Sequence, residues 1–483
     1  MLENRFRKYK LCEEIIQALS MLHYIEPTEV QEQVIPLVLE GKDIIAKSKT
    51  GSGKTAAFAI PICEAIVWEE NLPQALVLEP TRELAYQVKD EIFNIGRMKR
   101  IKVPVVFGGF PFDKQALTLK QKSHIVVGTP GRVLDHCESG TLKCENIKYV
   151  VLDEADLMLD MGFLEDVKKI LSYLPEKTTI MLFSATMGEA LYALIDEFMD
   201  SPVEVKLSDG TETVDSIEQV GCFVTEENKY EVFLSMLYKN NPSNAMIFCG
   251  TREMVEVLYY KLKKEKIWCG MLHGLIDQKQ RIHTIEDFRT GGFRYLIATD
   301  VAARGVDFDD ISHVINYDLP TSKETYVHRI GRTGRNGKSG KAISLIREEE
   351  QKMLTSIESF TGTQIEILIP PTEEEAREFL YKEKFYAAQQ IKQERKKKKG
   401  DVFQKDIMKL TINGGRKSKL RTCEVVGTIS GIEGVNGKED IGVIDIRDSI
   451  TYVEILNGKG NLVLKELPKR TMKGKCRKVS ISN

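Results

Sequence analysis

The chain has 483 residues, 42% of them hydrophobic and 29% charged, which predicts about three domains and excludes wholly disordered, collagenous and disulfide-scaffold proteins. No apolar run reaches the roughly 20 residues that a bilayer crossing needs, and the charged stretch from Met1 to Lys10 lacks the apolar core of a signal peptide, so a cytoplasmic protein is expected. The net charge of −2 hides an asymmetry: residues 391–483 hold 22 Lys and Arg against 11 Asp and Glu, a net of +11 that leaves −13 for residues 1–390, the usual footprint of an appended nucleic-acid-binding piece.

In chain order, short β-rich apolar runs at residues 43–46, 75–78, 124–127, 149–152 and 179–183 alternate with longer segments of helical period. Continuous apolar strands of this length are buried on both faces, as in a parallel sheet wrapped by helices. After a polar stretch at 208–216 the pattern restarts with runs at 245–249, 295–298 and 313–317. Residues 372–402 are rich in Glu, Lys and Gln and read as a charged helix ending in a linker. Beyond them, runs at 407–412, 441–446 and 450–455 suggest a small α+β domain. The expected fold is therefore α/β, with two tandem parallel-sheet domains at 1–207 and 217–371 and a small α+β domain at 403–483. Nine cysteines without a Cys-x-x-Cys pair fit reduced thiols better than a zinc site or disulfides.

The chemistry concentrates at the ends of the predicted strands. Ser48, Lys49, Thr50, Gly51, Ser52, Gly53, Lys54 and Thr55 form a phosphate-loop pattern between a strand and a helical run, with Ser48 where Gly or Ala is common. A glycine-rich turn lets backbone N–H groups close on phosphate oxygens, Lys54 adds a point charge, and the Thr55 hydroxyl is a ligand for Mg²⁺. About 100 residues later the strand at 149–152 ends in Asp153-Glu154-Ala155-Asp156. Alone, such a tetrapeptide is more often a helix start. Paired with a phosphate loop it completes an ATPase site, Asp153 holding Mg²⁺ largely through water and Glu154 orienting or deprotonating the attacking water.

With these motifs in order, residues 6–370 resemble the DEAD-box RNA helicases. The resemblance implies two RecA-like domains, with Phe6 and Gln31 reading adenine; the glycine usual before Tyr24 is His23 here. It assigns RNA contacts to Pro80, Thr81, Arg82, Gly109, Thr129, Gly131 and Arg132 in the first domain, and to Thr251, Gln278, Arg281, Thr299, Asp300 and Arg304 in the second. Glycines, hydroxyls and arginines of this kind grip phosphate and ribose without reading bases. Ser184-Ala185-Thr186 resembles the element that couples hydrolysis to strand separation. Asp307 is the implied ribose contact, and Arg332 and Arg335 the implied fingers on the γ-phosphate.

Residues 403–480 resemble the RNA-binding domain of DbpA-type helicases, an RRM-like fold, and that resemblance implies large-subunit ribosomal RNA as the target. An RRM stacks bases on aromatics of its first and third strands, where this chain offers Leu410 and Ile412, then Tyr452. Stacking is thus reduced, and Lys409, Arg416, Lys417 and Lys419 suggest recognition through phosphates and shape. The expected protein is a monomeric ATP- and Mg²⁺-dependent enzyme that opens short RNA duplexes. An ATP-gated RNA clamp and a DNA helicase are the rival readings.

Overall fold

The computed structural model describes residues 4–47, 52–206, 217–303, 308, 311–334, 339–369, 385–386, 407–437 and 439–482. Two compact units, Met1–Lys396 and Lys397–Asn483, divide the chain.

The first unit holds two seven-stranded sheets. Strands β1 (Ile44–Lys47), β2 (Ala75–Leu78), β3 (Val105–Val106), β4 (Ile125–Gly128), β5 (Tyr149–Leu152), β6 (Thr179–Ser184) and β7 (Val203–Lys206) pair in parallel in the order β3-β4-β2-β5-β6-β1-β7. Strands β8 (Ile217–Phe223), β9 (Ala245–Phe248), β10 (Cys269–Leu272), β11 (Tyr295–Ala298), β12 (His313–Asn316), β13 (Gly340–Ile346) and β14 (Glu366–Ile367) form the other, in the order β10-β11-β9-β12-β13-β8-β14. The second order is the first with seven added to every strand number, so the two sheets share one topology. Every residue of β2, β4, β9 and β11 is buried, as central strands covered by helices on both faces require.

The apolar runs did not announce the edge strands β3, β7, β10 and β14, nor the interior pair β8 and β13. In β10 the glycine has a packing reason, because a Cβ on Gly270 would stand 2.3 Å from the ring of Phe293. Most of the expected charged segment at 372–402 lies outside the described residues. Its Phe385 is fully buried, 4.9 Å from the Tyr238 ring and stacked on Tyr295 at 6.1 Å, and the Tyr386 hydroxyl donates to the Glu265 carbonyl at 2.8 Å.

The second unit is a β-α-β-β-α-β domain. Strands β15 (Met408–Asn413), β16 (Ile441–Ile446) and β17 (Ile450–Ile455), the hairpin β18 (Thr471–Met472) and β19 (Lys475–Cys476), and β20 (Val479–Ile481) accompany helices Thr422–Ser430 and Gly460–Glu466. The main sheet is antiparallel, in the order β16-β17-β15-β20. Leu410 and Ile412 point into its core beside Val425, Ile429 and Val463, which corrects their expected place on a base-stacking surface. The period-2 alternation of β15 puts Lys409, Thr411 and Asn413 on the other face instead. Among the described residues no helix is long and apolar enough to cross a membrane.

Candidate functional site

The C-terminal ends of β1, β2, β5 and β6 meet at one edge of the first sheet, where α/β proteins place their ligands. Helix Lys54–Ala65 starts there, with Gly53 as its N-cap at φ +92°. A Cβ at Gly53 would stand 2.6 Å from the Gln31 amide nitrogen, so both conformation and space demand glycine. Ser48, Lys49, Thr50 and Gly51 lie outside the described residues. Ser52 stands at the loop's end, where its carbonyl accepts from the Thr28 hydroxyl at 3.0 Å.

Lys54 is buried, with its Nζ 2.6 Å from Glu154 Oε1 and 3.7 Å from Asp153 Oδ1. Burial alone would lower its pKa, but Glu154 and Asp153 outweigh it and hold the ammonium charged beyond its ordinary range. Burial pushes Asp153 the opposite way for a carboxylate, up to about 6, despite the pull of Lys54. Glu154 adopts φ 51° and ψ 48°, a left-handed conformation that strains any residue with a Cβ and is found disproportionately at functional sites. Thr55 follows Lys54 in the first turn of the same helix, and its hydroxyl and the Asp153 carboxylate are oxygen ligands of the kind that could hold Mg²⁺, a hard cation that keeps several waters.

A second network leaves the same edge. Asp156 Oδ2 accepts from both the Thr186 N–H and its hydroxyl at 2.9 Å, while the Ser184 hydroxyl accepts from the Asp156 N–H at 3.3 Å and donates to the Thr186 carbonyl. The acidic tetrapeptide and the Ser184-Ala185-Thr186 turn are therefore one hydrogen-bonded body.

Gln31 closes a capping box with Thr28, its Oε1 accepting from the Thr28 N–H at 3.1 Å, and its Nε2 donates to the Gly53 carbonyl at 3.2 Å. The residue expected to read adenine is thus also tied to the phosphate loop. Phe6 is fully buried, edge-on to Tyr24 with ring centroids 6.5 Å apart, so it shapes this region from within the core. His23 takes φ 62° after the helix Glu13–Met21, a position that glycine fills without strain.

The remaining motif residues line the ends of both sheets. Pro80 precedes Thr81, which caps helix Arg82–Ile95 by accepting from the Leu84 N–H; Thr129 is the N-cap of helix Pro130–Glu138, and Thr251 caps helix Arg252–Lys264 by accepting from the Met254 N–H. Arg82 packs over Gly109, where a Cβ would stand 2.5 Å from its guanidinium, and Gly131 faces Asp166. Arg132 donates to the Phe110 carbonyl at 3.0 Å and to Asp135 at 3.1 Å.

Several expected RNA contacts join the two sheets. Arg82 donates to Gln278 Oε1 at 3.1 Å, Gln278 Nε2 donates to Glu83 at 3.0 Å, and Arg281 pairs with the same Glu83 while donating to the Ala302 carbonyl at 2.7 Å. Glu83 belongs to the same Pro80–Ala85 motif but has no role of its own in the sequence reading, and it is the buried hub of this group. Thr299 is half-buried and donates its N–H to the Leu272 carbonyl. Asp300, an expected RNA contact, accepts from Arg329 on both carboxylate oxygens, and Arg329 also donates to Asn316 and to the Asp318 carbonyl. The Asp300 carboxylate holds the start of the loop that carries Arg332, and Arg329, an arginine of the same Gly-punctuated motif, is 2% exposed and so is no part of a solvated basic patch. Arg332 follows helix Lys323–Ile330 within a turn, donating its N–H to the Arg329 carbonyl. Arg304, Asp307 and Arg335 lie outside the described residues.

In the C-terminal unit, Tyr452 stands opposite Thr411 on the open sheet face, with the Arg447 guanidinium 4.8 Å above its ring. On that face Lys409 pairs with Glu454 at 3.3 Å and Arg447 with Asp445 at 3.0 Å, so much of the charge is internally balanced. Beyond the strand ends, Lys417, Lys475, Arg477 and Lys478 border one concave surface, and Arg416 borders the next. Lys419 takes a left-handed φ of 55° at the end of the turn Arg416–Ser418.

Three family descriptions match the chain: DEAD/DEAH box helicase over residues 28–194, helicase conserved C-terminal domain over 228–337, and DbpA RNA binding domain over 409–481. The ATP-dependent RNA helicase DbpA of Bacillus subtilis is 50% identical over 481 residues, covering 99% of this chain and 100% of the relative. The DEAD-box ATP-dependent RNA helicase CshA of Geobacillus kaustophilus is 41% identical over 77% of this chain and 80% of its own length. Among solved structures, S. cerevisiae Dbp5 bound to RNA and ADP BeF3 superposes with a TM-score of 0.68 at 32% identity, over 80% of this chain and all of that one. The chain therefore belongs to the DEAD-box ATP-dependent RNA helicases, as an ATPase of the type that carries a C-terminal DbpA RNA-binding domain.

Proposed function

We propose that this helicase opens short RNA duplexes next to a hairpin of large-subunit ribosomal RNA, captured by its C-terminal unit during ribosome assembly. The observation that carries the reading is the joint presence of a buried Lys54 set between Asp153 and Glu154 and of an RRM-type unit matching the DbpA RNA-binding domain. Lys54, Arg332 and Arg335 provide the positive charges for the phosphates, and Glu154 is the group that orients and deprotonates water. Asp153 and Thr55 are the protein contacts of Mg²⁺, which when bound neutralises charge on the transferring phosphate. Gln31 reads the adenine edge, with the buried Phe6 packed nearby, and Asp307 contacts the ribose.

Thr81, Thr129 and Thr251 stand at helix N-termini, where backbone N–H groups favour phosphate. With Arg82, Gly109, Gly131, Arg132, Gln278, Arg281, Thr299 and Arg304 they form the RNA track of the two sheets. The balanced charge on the open face of the C-terminal sheet favours its basic loops as the grip on folded RNA.

Steady-state ATPase rates should be compared with whole ribosomal RNA, a ribosomal fragment carrying the hairpin, and an unrelated RNA of equal length. Strong stimulation by the first two alone is expected. Equal stimulation by all three would reduce the C-terminal unit to a general RNA anchor. Removal of residues 401–483 is expected to leave ATP binding intact and abolish that selectivity.

A further inference from the structure

Glu79 directly follows β2, is fully buried, and has no hydrogen-bond partner on either carboxylate oxygen. An ionised carboxylate so placed is among the least favourable arrangements in a protein interior. Its neighbours explain why it matters. Strands β2 and β5 pair with Leu78 opposite Leu152, and the Asp153 N–H donates to the Leu78 carbonyl at 3.2 Å. Residues in register on adjacent strands point to the same face, so Glu79 stands beside Asp153. Burial raises its pKa well above the usual range, Asp153 and Glu154 raise it further, and Lys54 opposes them.

The fold itself does not call for an acid there. The strand of the second sheet equivalent to β2 is β9, and the residue after it is Cys249, also fully buried. The helices that follow begin alike, with Thr81-Arg82-Glu83 and Thr251-Arg252-Glu253, each threonine capping its helix in the same way. Only the sheet that carries the phosphate loop has a carboxylate at this position. Among the described residues no three His, Cys, Asp or Glu are grouped so as to cage a metal by themselves, so an added carboxylate acts on Mg²⁺ through its water shell.

We propose that Glu79 is an outer-shell residue of the magnesium site, accepting hydrogen bonds from water on the ion and raising the ion's affinity in the nucleotide complex. This rests on the reading of Asp153 and Thr55 as the protein contacts of that ion. The full-length protein with a fluorescent N-methylanthraniloyl ADP, titrated with MgCl₂, provides the test. Glu79→Gln is expected to raise the Mg²⁺ midpoint about tenfold, as loss of an outer-shell partner does elsewhere, while ADP affinity in EDTA changes less than twofold. Glu79→Cys, copying the second sheet, carries the same test should the glutamine variant fail to fold. An unshifted midpoint in a folded Glu79 variant, with Asp153→Asn shifted, would overturn the inference and leave the metal site standing. An unshifted Asp153→Asn would bring down the metal site and the inference together.

Discussion

The two sheets of the helicase unit share one strand order and carry opposite chemistry at the same edge. The first buries Lys54 against Asp153 and the half-buried Glu154, with Glu79 buried beside Asp153. The second buries the Arg329 guanidinium among Asp300, Asn316 and the Asp318 carbonyl, with Lys229 close against Asp318. Topology decides where an edge lies; the residue or two after each strand decide its charge. An acid-rich edge suits a cation and its water, whereas an edge built on arginine suits phosphate. A nucleotide triphosphate with its metal needs both, which is why a duplicated scaffold can divide the work.

The largest expected break in this comparison is at Arg329. Arg329→Ala should destabilise the second domain by about 3–5 kcal/mol, because it strands a half-buried acid and a fully buried amide, and hydrogen exchange of β11 and β12 should report the loss there and spare β2 and β5. Next, Glu154→Gln should lower RNA-stimulated ATP turnover by about 10²–10⁴-fold, the usual worth of a general base, with ATP binding retained in equilibrium titrations. The Glu83–Arg281 pair joins the sheets directly. A double-mutant cycle with Glu83→Gln and Arg281→Met, read by urea unfolding, should return a coupling of about 0.5–3 kcal/mol, and additive effects would show that the pair does not bind the sheets together. The smallest effect sharpens the picture at the nucleotide end: His23→Gly should stabilise the protein by about 0.5–1 kcal/mol by relieving the left-handed strain, less the entropy that glycine loses on folding.

Much of this architecture was legible in the sequence. The runs at 75–78, 149–152 and 295–298 coincide with β2, β5 and β11 residue for residue, because central parallel strands carry an unbroken apolar signal. The acids after β5 were legible for the same reason, being the first polar residues beyond a buried run. The Asp300–Arg329 pair was not legible, because the two residues stand 29 positions apart and are brought together only by the tertiary fold. Leu410 and Ile412 were assigned to the stacking surface by strand number, although the polar residues alternating with them place that surface on the opposite face. Glu79 was overlooked because it precedes a motif rather than belonging to it, and a lone Glu before Pro80 reads as ordinary turn chemistry until its lack of any partner is seen.

The burial of Phe385 against Tyr238 and Tyr295 decides where the two-sheet unit can be cut. A truncation after Ile369 keeps every strand of both sheets and still removes a fully buried ring sixteen positions further on, at about 3–5 kcal/mol, the usual cost of emptying such a site.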